Sequence, residues 1–533
     1  MNPLIFPYPS RRQVVYGRRG MVCTSQPLAA GAGLDILKAG GNAVDAAVAT
    51  AIAMTVLEPV SNGIGSDTFA LVWAGGKLHG LNGSGYAPAA LSGDLLRAQG
   101  YDKMPARGWV PVNVPGTPSA WRALSRRFGR LPFEKLFESA VRYAREGYPV
   151  SPVAAVQWRE QCENFSRTLK APCHRGWFDT FAPQGRAPEP GELWRSEDMA
   201  RTLEELAETG CESFYRGELA QKIDRFSRET GGYLRSGDLA GYEAEWVQPI
   251  SIHYKGCDVW EIPPNGHGLV ALMALNTLRN DRFPARDDAR TIHLQLEAMK
   301  LAFADGQKYI TDPAYMTRTV EQLLDPSYAQ RRRSSITELA QPPLAGDPAS
   351  GGTVYLCTAD REGNMVSLIQ SNYMGFGSGV VIPGTGISLN DRGANFSLDP
   401  NHDNCLQPGK RPYHTIIPGF LTRDGQAVGP FGVMGGFMQP QGHLQVVMNT
   451  IDFDLNPQAA LDAPRWQWAG GMRIEVEPGF PQHLVEELAA RGHDIHISTN
   501  TRSFGRGEII WRGPDGVLMG ATEPRADGMA AAW

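Results

Sequence analysis

Residues 340 to 352 read AQPPLAGDPASGG, and Thr353-Val354-Tyr355-Leu356-Cys357-Thr358 follows directly. Pro, Gly and Ala at this density break any helix or strand pattern, so the segment predicts a mobile connector. The apolar, β-branched run behind it predicts a buried strand that begins at Thr353. A flexible stretch ending in Gly-Gly thus meets a threonine at the first position of a strand. On composition alone, an ordinary linker between domains is the simplest explanation of that junction.

The flanking pattern predicts elements on both sides. Pro27 to Ala39 reads as a helix closed by Gly40-Gly41. Asn42 caps a second helix, rich in Ala and Val, that runs to about Leu57. Phe69 to Trp73 and Leu78 to Leu81 read as a strand pair, while Ser119 to Phe128 and Phe133 to Glu146 look helical. The middle, from about 150 to 330, is mainly helical, interrupted by an extended stretch from Pro249 to Ile262. A turn at 360–364 leads from the Thr353 strand into a second strand, Met365 to Ile369.

Composition excludes several classes. With 42% hydrophobic and 20% charged residues and a net charge of -5, the 533-residue chain has a globular profile and no basic stripe for a nucleic-acid backbone. The apolar run Ala47 to Val56 is too short to cross a bilayer, and MNPLIFPYPSRRQVVYGRRG lacks the apolar core of a secretory signal. The seven cysteines, Cys23, Cys162, Cys173, Cys211, Cys257, Cys357 and Cys405, include no C-x-x-C pair. Reduced structural thiols and a cytoplasmic location are the expectation, with no membrane or nucleic-acid partner. No G-x-S-x-G, S-x-x-K, H-E-x-x-H or phosphate-loop motif occurs, and the eleven histidines show no metal spacing. The simplest expectation is a reaction without metal or cofactor.

Motifs along almost the whole chain resemble one family. GMVCTSQPLAAGAGLDILKAGGNAVDAAVATAIAMTVLEPVSNGIGSD is similar to the N-terminal signature of the γ-glutamyltransferases. VPGTPSAW, GGYLRSGDLAGY, PPNGHG and EAMKLAFAD resemble their middle motifs. GGTVYLCTADREGNMVS, FGSGVVIPGTGISLN, PGKRPYHTIIP, VMGG, LDAPR and ATEPRADG resemble their C-terminal half. The order of these motifs is also that of the family. The resemblance implies the α/β, four-layer αββα sandwich of N-terminal nucleophile hydrolases, built jointly by two chains after self-cleavage at Gly352–Thr353. It implies Thr353 as nucleophile and a heterodimer of residues 1–352 and 353–533. No motif encodes assembly beyond that; a dimer of heterodimers stays open.

The chemistry suits that junction. A threonine inside a chain has a weakly nucleophilic hydroxyl. Cleavage before Thr353 frees its α-amine, whose ordinary pKa near 8 lets it take the hydroxyl proton at neutral pH. The family's oxyanion donors match Gly435 and Gly436, whose residue type would equally suit a tight turn. Ser371 matches a family hydroxyl that contacts the nucleophile.

Recognition positions depart from the family. Ser84 stands where the family has the Arg that holds a substrate carboxylate, and Asn395 where it has the Asp that holds an ammonium. His414 and Thr415 replace tandem serines, and Tyr373 replaces an Asn. A serine does not pair a carboxylate as a guanidinium does. The segment between Phe396 and Pro408 is too short for the family's lid, which favours water over an acceptor amine. Arg392, His414, Thr415 and Tyr373 offer donors for a small acid without an α-ammonium. This pattern resembles the family's amidase branch that converts oxamate to oxalate and ammonia in purine-nitrogen breakdown. The alternatives are hydrolysis of γ-glutamyl compounds or of a cephalosporin-type amide, and, from another class, an uncleaved binding protein.

Overall fold

A computed structural model describes residues 12–343 and 352–533. Most of the connector predicted over 340–352 lies outside the described residues; its ends at 340–343 and at Gly352 lie within them.

Two seven-stranded sheets stack face to face. One runs, in spatial order, through Met529–Ala532, Gly20–Thr24, Gly352–Asp360, Met365–Tyr373, Asp67–Ala74, Lys77–Gly83 and Glu245–Val247. The other runs through Val15–Gly17, Leu518–Thr522, Arg506–Arg512, Gln426–Met434, Gly419–Arg423, Cys257–Glu261 and Ile250–Tyr254. Every pairing within these sheets is antiparallel. The helices Pro27–Lys38 and Ala43–Leu57 cover the outside of the first sheet, and Gly268–Leu278 and Met438–Ile451 cover the second. The expected αββα sandwich is the observed one.

The helix Ala43–Leu57 shows why the layers close. All fifteen of its residues are buried, so it is apolar around its whole circumference, as a helix between a sheet and further helices must be. Its N-terminus is set by Asn42, whose side chain accepts from the backbone N–H groups of Val44 and Asp45, while Asp45 accepts from the Asn42 N–H at 3.0 Å. Asp360, at the end of the Thr353 strand, accepts from Ala43 N–H at 3.0 Å and ties helix to sheet.

Two expected elements are reshaped. The stretch 133–146 begins as a 3-10 turn, Phe133–Phe137, and becomes helical only over Glu138–Glu146. The extended stretch 249–262 is the hairpin Ile250–Tyr254 and Cys257–Glu261 on the edge of the second sheet. Among the described residues, no helix is long and apolar enough to cross a membrane.

Candidate active site

The strand Gly352–Asp360 sits in the middle of its sheet, between Gly20–Thr24 and Met365–Tyr373. Its pairing with the latter carries a bulge: Gly352 faces Tyr373 and Val354 faces Gln370, so Thr353 stands opposite both Ser371 and Asn372. A bulge re-aims a side chain, and here the Thr353 hydroxyl donates to the Ser371 Oγ at 3.1 Å. Ser371 Oγ also accepts from the Tyr373 N–H at 2.8 Å. Tyr373 adopts φ 85, a conformation that a bulky residue holds only under strain. Thr353 itself is 1% exposed.

Three residues not singled out by the sequence reading complete this corner. Arg506 donates to the Thr353 carbonyl at 3.4 Å and to Glu58 at 3.0 Å. Glu58 also accepts from Ser25 at 2.7 Å and Ser61 at 2.9 Å. Glu58 and Arg506 therefore tie the Thr353 strand to the end of the helix Ala43–Leu57. The third is Asp67, the register partner of Ser371 across the next strand.

Gly435 and Gly436 follow the strand Gln426–Met434 and lead into the helix Met438–Ile451. Met434 pairs with Arg506, the residue that holds the Thr353 carbonyl, so the glycine pair sits at the same corner. Gly435 has φ 143, and a Cβ on it would lie 3.1 Å from the Cα of Gly505. A side chain there would be both strained and crowded, which favours glycine. The turn reading and the donor reading share this geometry.

A buried polar cluster surrounds Arg392. Its Nη1 donates to the Thr415 hydroxyl at 2.7 Å, its guanidinium lies over the Tyr373 ring at 4.7 Å, and its Nε is 4.0 Å from Asp67 Oδ2. The His414 Nε2 lies 2.9 Å from the same Asp67 oxygen. Arg392 Nε and Nη2 and Asp67 Oδ1 have no hydrogen-bond partner among the described residues, and both side chains are wholly buried. Burial, only partly offset by Arg392, pushes the Asp67 carboxyl up to about 7. Burial, reinforced by Arg392, drives His414 well below its ordinary value, so its imidazole is neutral at neutral pH. Burial also lowers Arg392.

The fold thus brings Thr353, Ser371, Tyr373, Arg392, His414 and Thr415 together. Ser84 joins indirectly: its hydroxyl donates to Asn82 at 2.7 Å and Asn265 at 3.2 Å, and the Asn265 carbonyl accepts from the His414 N–H at 2.9 Å. Asn395 is half-buried with its Nδ2 unpartnered among the described residues, and its carbonyl accepts from Asn404 at 2.6 Å. All seven cysteines are free and buried. Away from the site, the fold brings His493 to His293 and Glu297, which are four residues apart on one helix, so that the three lie within 4.8 Å. The ammonium of Lys300 already pairs with Glu297 there.

Similarity searches agree with this architecture. The family model described as Gamma-glutamyltranspeptidase matches residues 29–533. A glutathione hydrolase-like proenzyme of Bacillus subtilis is 35% identical, over 97% of this chain and 99% of its own length. An oxamate amidohydrolase proenzyme of Klebsiella pneumoniae is 34% identical, over 96% and 98%. The crystal structure of a cephalosporin acylase from Bacillus halodurans superposes with a TM-score of 0.97 at 61% identity, covering 100% of this chain and 99% of that one. With its fold, its motifs and nearly its full length accounted for, the chain belongs to the gamma-glutamyltranspeptidase family.

Proposed function

We propose that this chain is a proenzyme that cuts its own Gly352–Thr353 bond and then hydrolyses the amide of a small carboxylic acid, with oxamate to oxalate and ammonia as the favoured reaction. In the first step the Thr353 hydroxyl attacks the Gly352 carbonyl. The peptide bond becomes an ester, the Thr353 α-amine is released, and water hydrolyses the ester. Residues 1–352 and 353–533 then remain as a heterodimer. In turnover the α-amine takes the hydroxyl proton, Thr353 Oγ1 attacks the substrate carbonyl, and the amine returns a proton to the departing ammonia. Water releases the acid. Gly435 and Gly436 supply N–H groups to the oxyanion, and Ser371 orients the hydroxyl.

The observation that carries the substrate reading is Arg392, a buried guanidinium with two nitrogens unpartnered among the described residues, close to the nucleophile through Tyr373 and Ser371. A guanidinium in that state is matched by a carboxylate. Thr415, Tyr373 and His414 surround it.

One observation favours a second reading. Asp67 supplies an acidic oxygen where Asn395 lacks one, and with Arg392 it could hold an amino-acid head, as in γ-glutamyl or cephalosporin-type side chains. Steady ammonia release from oxamate, compared with p-nitroaniline release from a γ-glutamyl anilide, separates the two. Turnover of the anilide alone overturns the oxamate assignment.

A further inference from the structure

Two buried carboxylates act on Arg392, Asp67 and Asp391; Asp391 is paired with Arg107 at 3.0 Å, which leaves Asp67 as the one whose charge leans on Arg392. It starts the strand Asp67–Ala74, on the register partner of Ser371, and so lies one strand away from the hydroxyl that contacts Thr353. Its Oδ2 is engaged by His414 at 2.9 Å and lies 4.0 Å from Arg392 Nε. Its Oδ1 is buried and makes no hydrogen bond of normal geometry among the described residues, although the backbone N–H groups of Gly85 and Gly116 face the carboxylate. The guanidinium is therefore the main positive charge available to Asp67, at a distance longer than a hydrogen bond.

We propose that Asp67 is a specificity-determining residue: it takes up one proton when a carboxylate docks on Arg392, and then donates a hydrogen bond to that ligand from Oδ1. The inference rests on the reading of this pocket as a receptor for a carboxylate-bearing amide. The physical reason is charge. One guanidinium in a site sealed from water balances one anion, and a second carboxylate a few ångströms away is repelled unless one of the two is protonated. The ligand keeps its charge because it meets the free Nε and Nη2 directly, whereas Asp67 faces Arg392 only at 4.0 Å. Asp67 is thus the group that gains the proton.

The surroundings allow it. The charged and titratable groups facing Asp67 are Arg392, Arg411, His414 and Tyr242, with His267 behind His414. Both imidazoles are held neutral by burial and Tyr242 stays protonated, so none of them supplies a negative charge. The free pocket holds an ionised Asp67 above about pH 7 and a neutral one below it. A small acid is then favoured by lower pH, and an amino-acid head, whose ammonium needs an ionised Asp67, by higher pH.

The test is calorimetry of the processed wild-type protein with oxalate as the probe, in buffers of different ionisation enthalpy, from pH 5 to 8.5. The expected result is uptake approaching one proton per oxalate at pH 8, fading toward pH 5.5, where Asp67 is already neutral. Asp67→Asn, which keeps the shape and a donor but does not titrate, is expected to bind oxalate with that uptake removed. The Thr353 α-amine can also take up protons near pH 8, and any share it contributes survives in the Asn variant. The same uptake in wild type and in Asp67→Asn overturns the proposal, as does wild-type oxalate binding without proton uptake. If glutamate binds and oxalate does not, the small-acid reading itself fails, and the proposal with it. The wild-type pH series stands even if the variant does not fold.

Discussion

At the scale of single residues, Arg392 is the proposed ligand anchor and Gly435 part of the proposed oxyanion corner. Arg392→Lys keeps the charge and loses the planar fork that reaches Thr415 and a carboxylate together. Loss of a charge-assisted hydrogen bond is worth about 1.5–3 kcal/mol, so KM for an acidic amide should rise roughly ten- to a hundredfold in steady-state assays, with a smaller change in kcat. Gly435→Ala places a Cβ 3.1 Å from Gly505 Cα at φ 143. The displaced N–H groups should lower kcat by about 10², the scale of a lost oxyanion donor, with KM little changed. Proton inventory sets the pH profile. The α-amine must be neutral to act as base, so kcat should rise with pH through roughly 7 to 8. For an anionic substrate kcat/KM should fall again above about pH 7 as Asp67 ionises in the free pocket. A neutral amide should show the rise alone.

At the scale of elements, much was legible and the reasons are local. The helix Ala43–Leu57 is announced by Asn42 and an unbroken apolar run, and both strands of the nucleophile hairpin show as β-branched runs around 360–364. Asn42→Ala removes the acceptor for Val44 and Asp45 and should cost about 1 kcal/mol in urea unfolding. Thr353 and Ser371 were legible through the motifs around them. The bulge that aims Ser371 at Thr353 was not, because it depends on register between two strands rather than on either strand's pattern. Glu58, Asp67 and Arg506 were missed for a related reason. Each sits at the end of an apolar element, where a charge reads as a solvated terminus; only the stacked sheets show it to be buried. A carboxylate opening the apolar run Phe69 to Trp73 was the signal available for Asp67. Arg506→Met leaves Glu58 buried without its cation, with Ser25 and Ser61 alone as donors. Breaking a buried pair this way typically costs about 3 kcal/mol or more, readable as a lower denaturation midpoint, and self-cleavage should slow because the Thr353 carbonyl loses its donor.

At the scale of the whole molecule, the proposed cut would fall at the start of a central strand of a sheet rather than between domains. The strand Gly352–Asp360 is flanked by Gly20–Thr24 from the first product and Met365–Tyr373 from the second. The same sheet also seats Asp67–Ala74 beside Met365–Tyr373, so strands of the two proposed products are interleaved in one hydrogen-bonded layer. Separating them would expose both faces of that layer, and the products should remain together in gel filtration without denaturant. The composition-based idea of a linker between separate domains does not describe this arrangement, because both hydrophobic cores combine residues from before and after the connector. The central claim is that Thr353 is both the agent and the new terminus of that cut. Its most direct test is intact-mass analysis with N-terminal sequencing of the wild-type and Thr353→Ala proteins after prolonged incubation. The account predicts that the wild type resolves under denaturing conditions into residues 1–352 and 353–533, the latter beginning at Thr353, while Thr353→Ala stays whole at 58.1 kDa and inactive. A Thr353→Ala protein that splits at the same bond, or a wild type that turns over amides while remaining one chain, would contradict it.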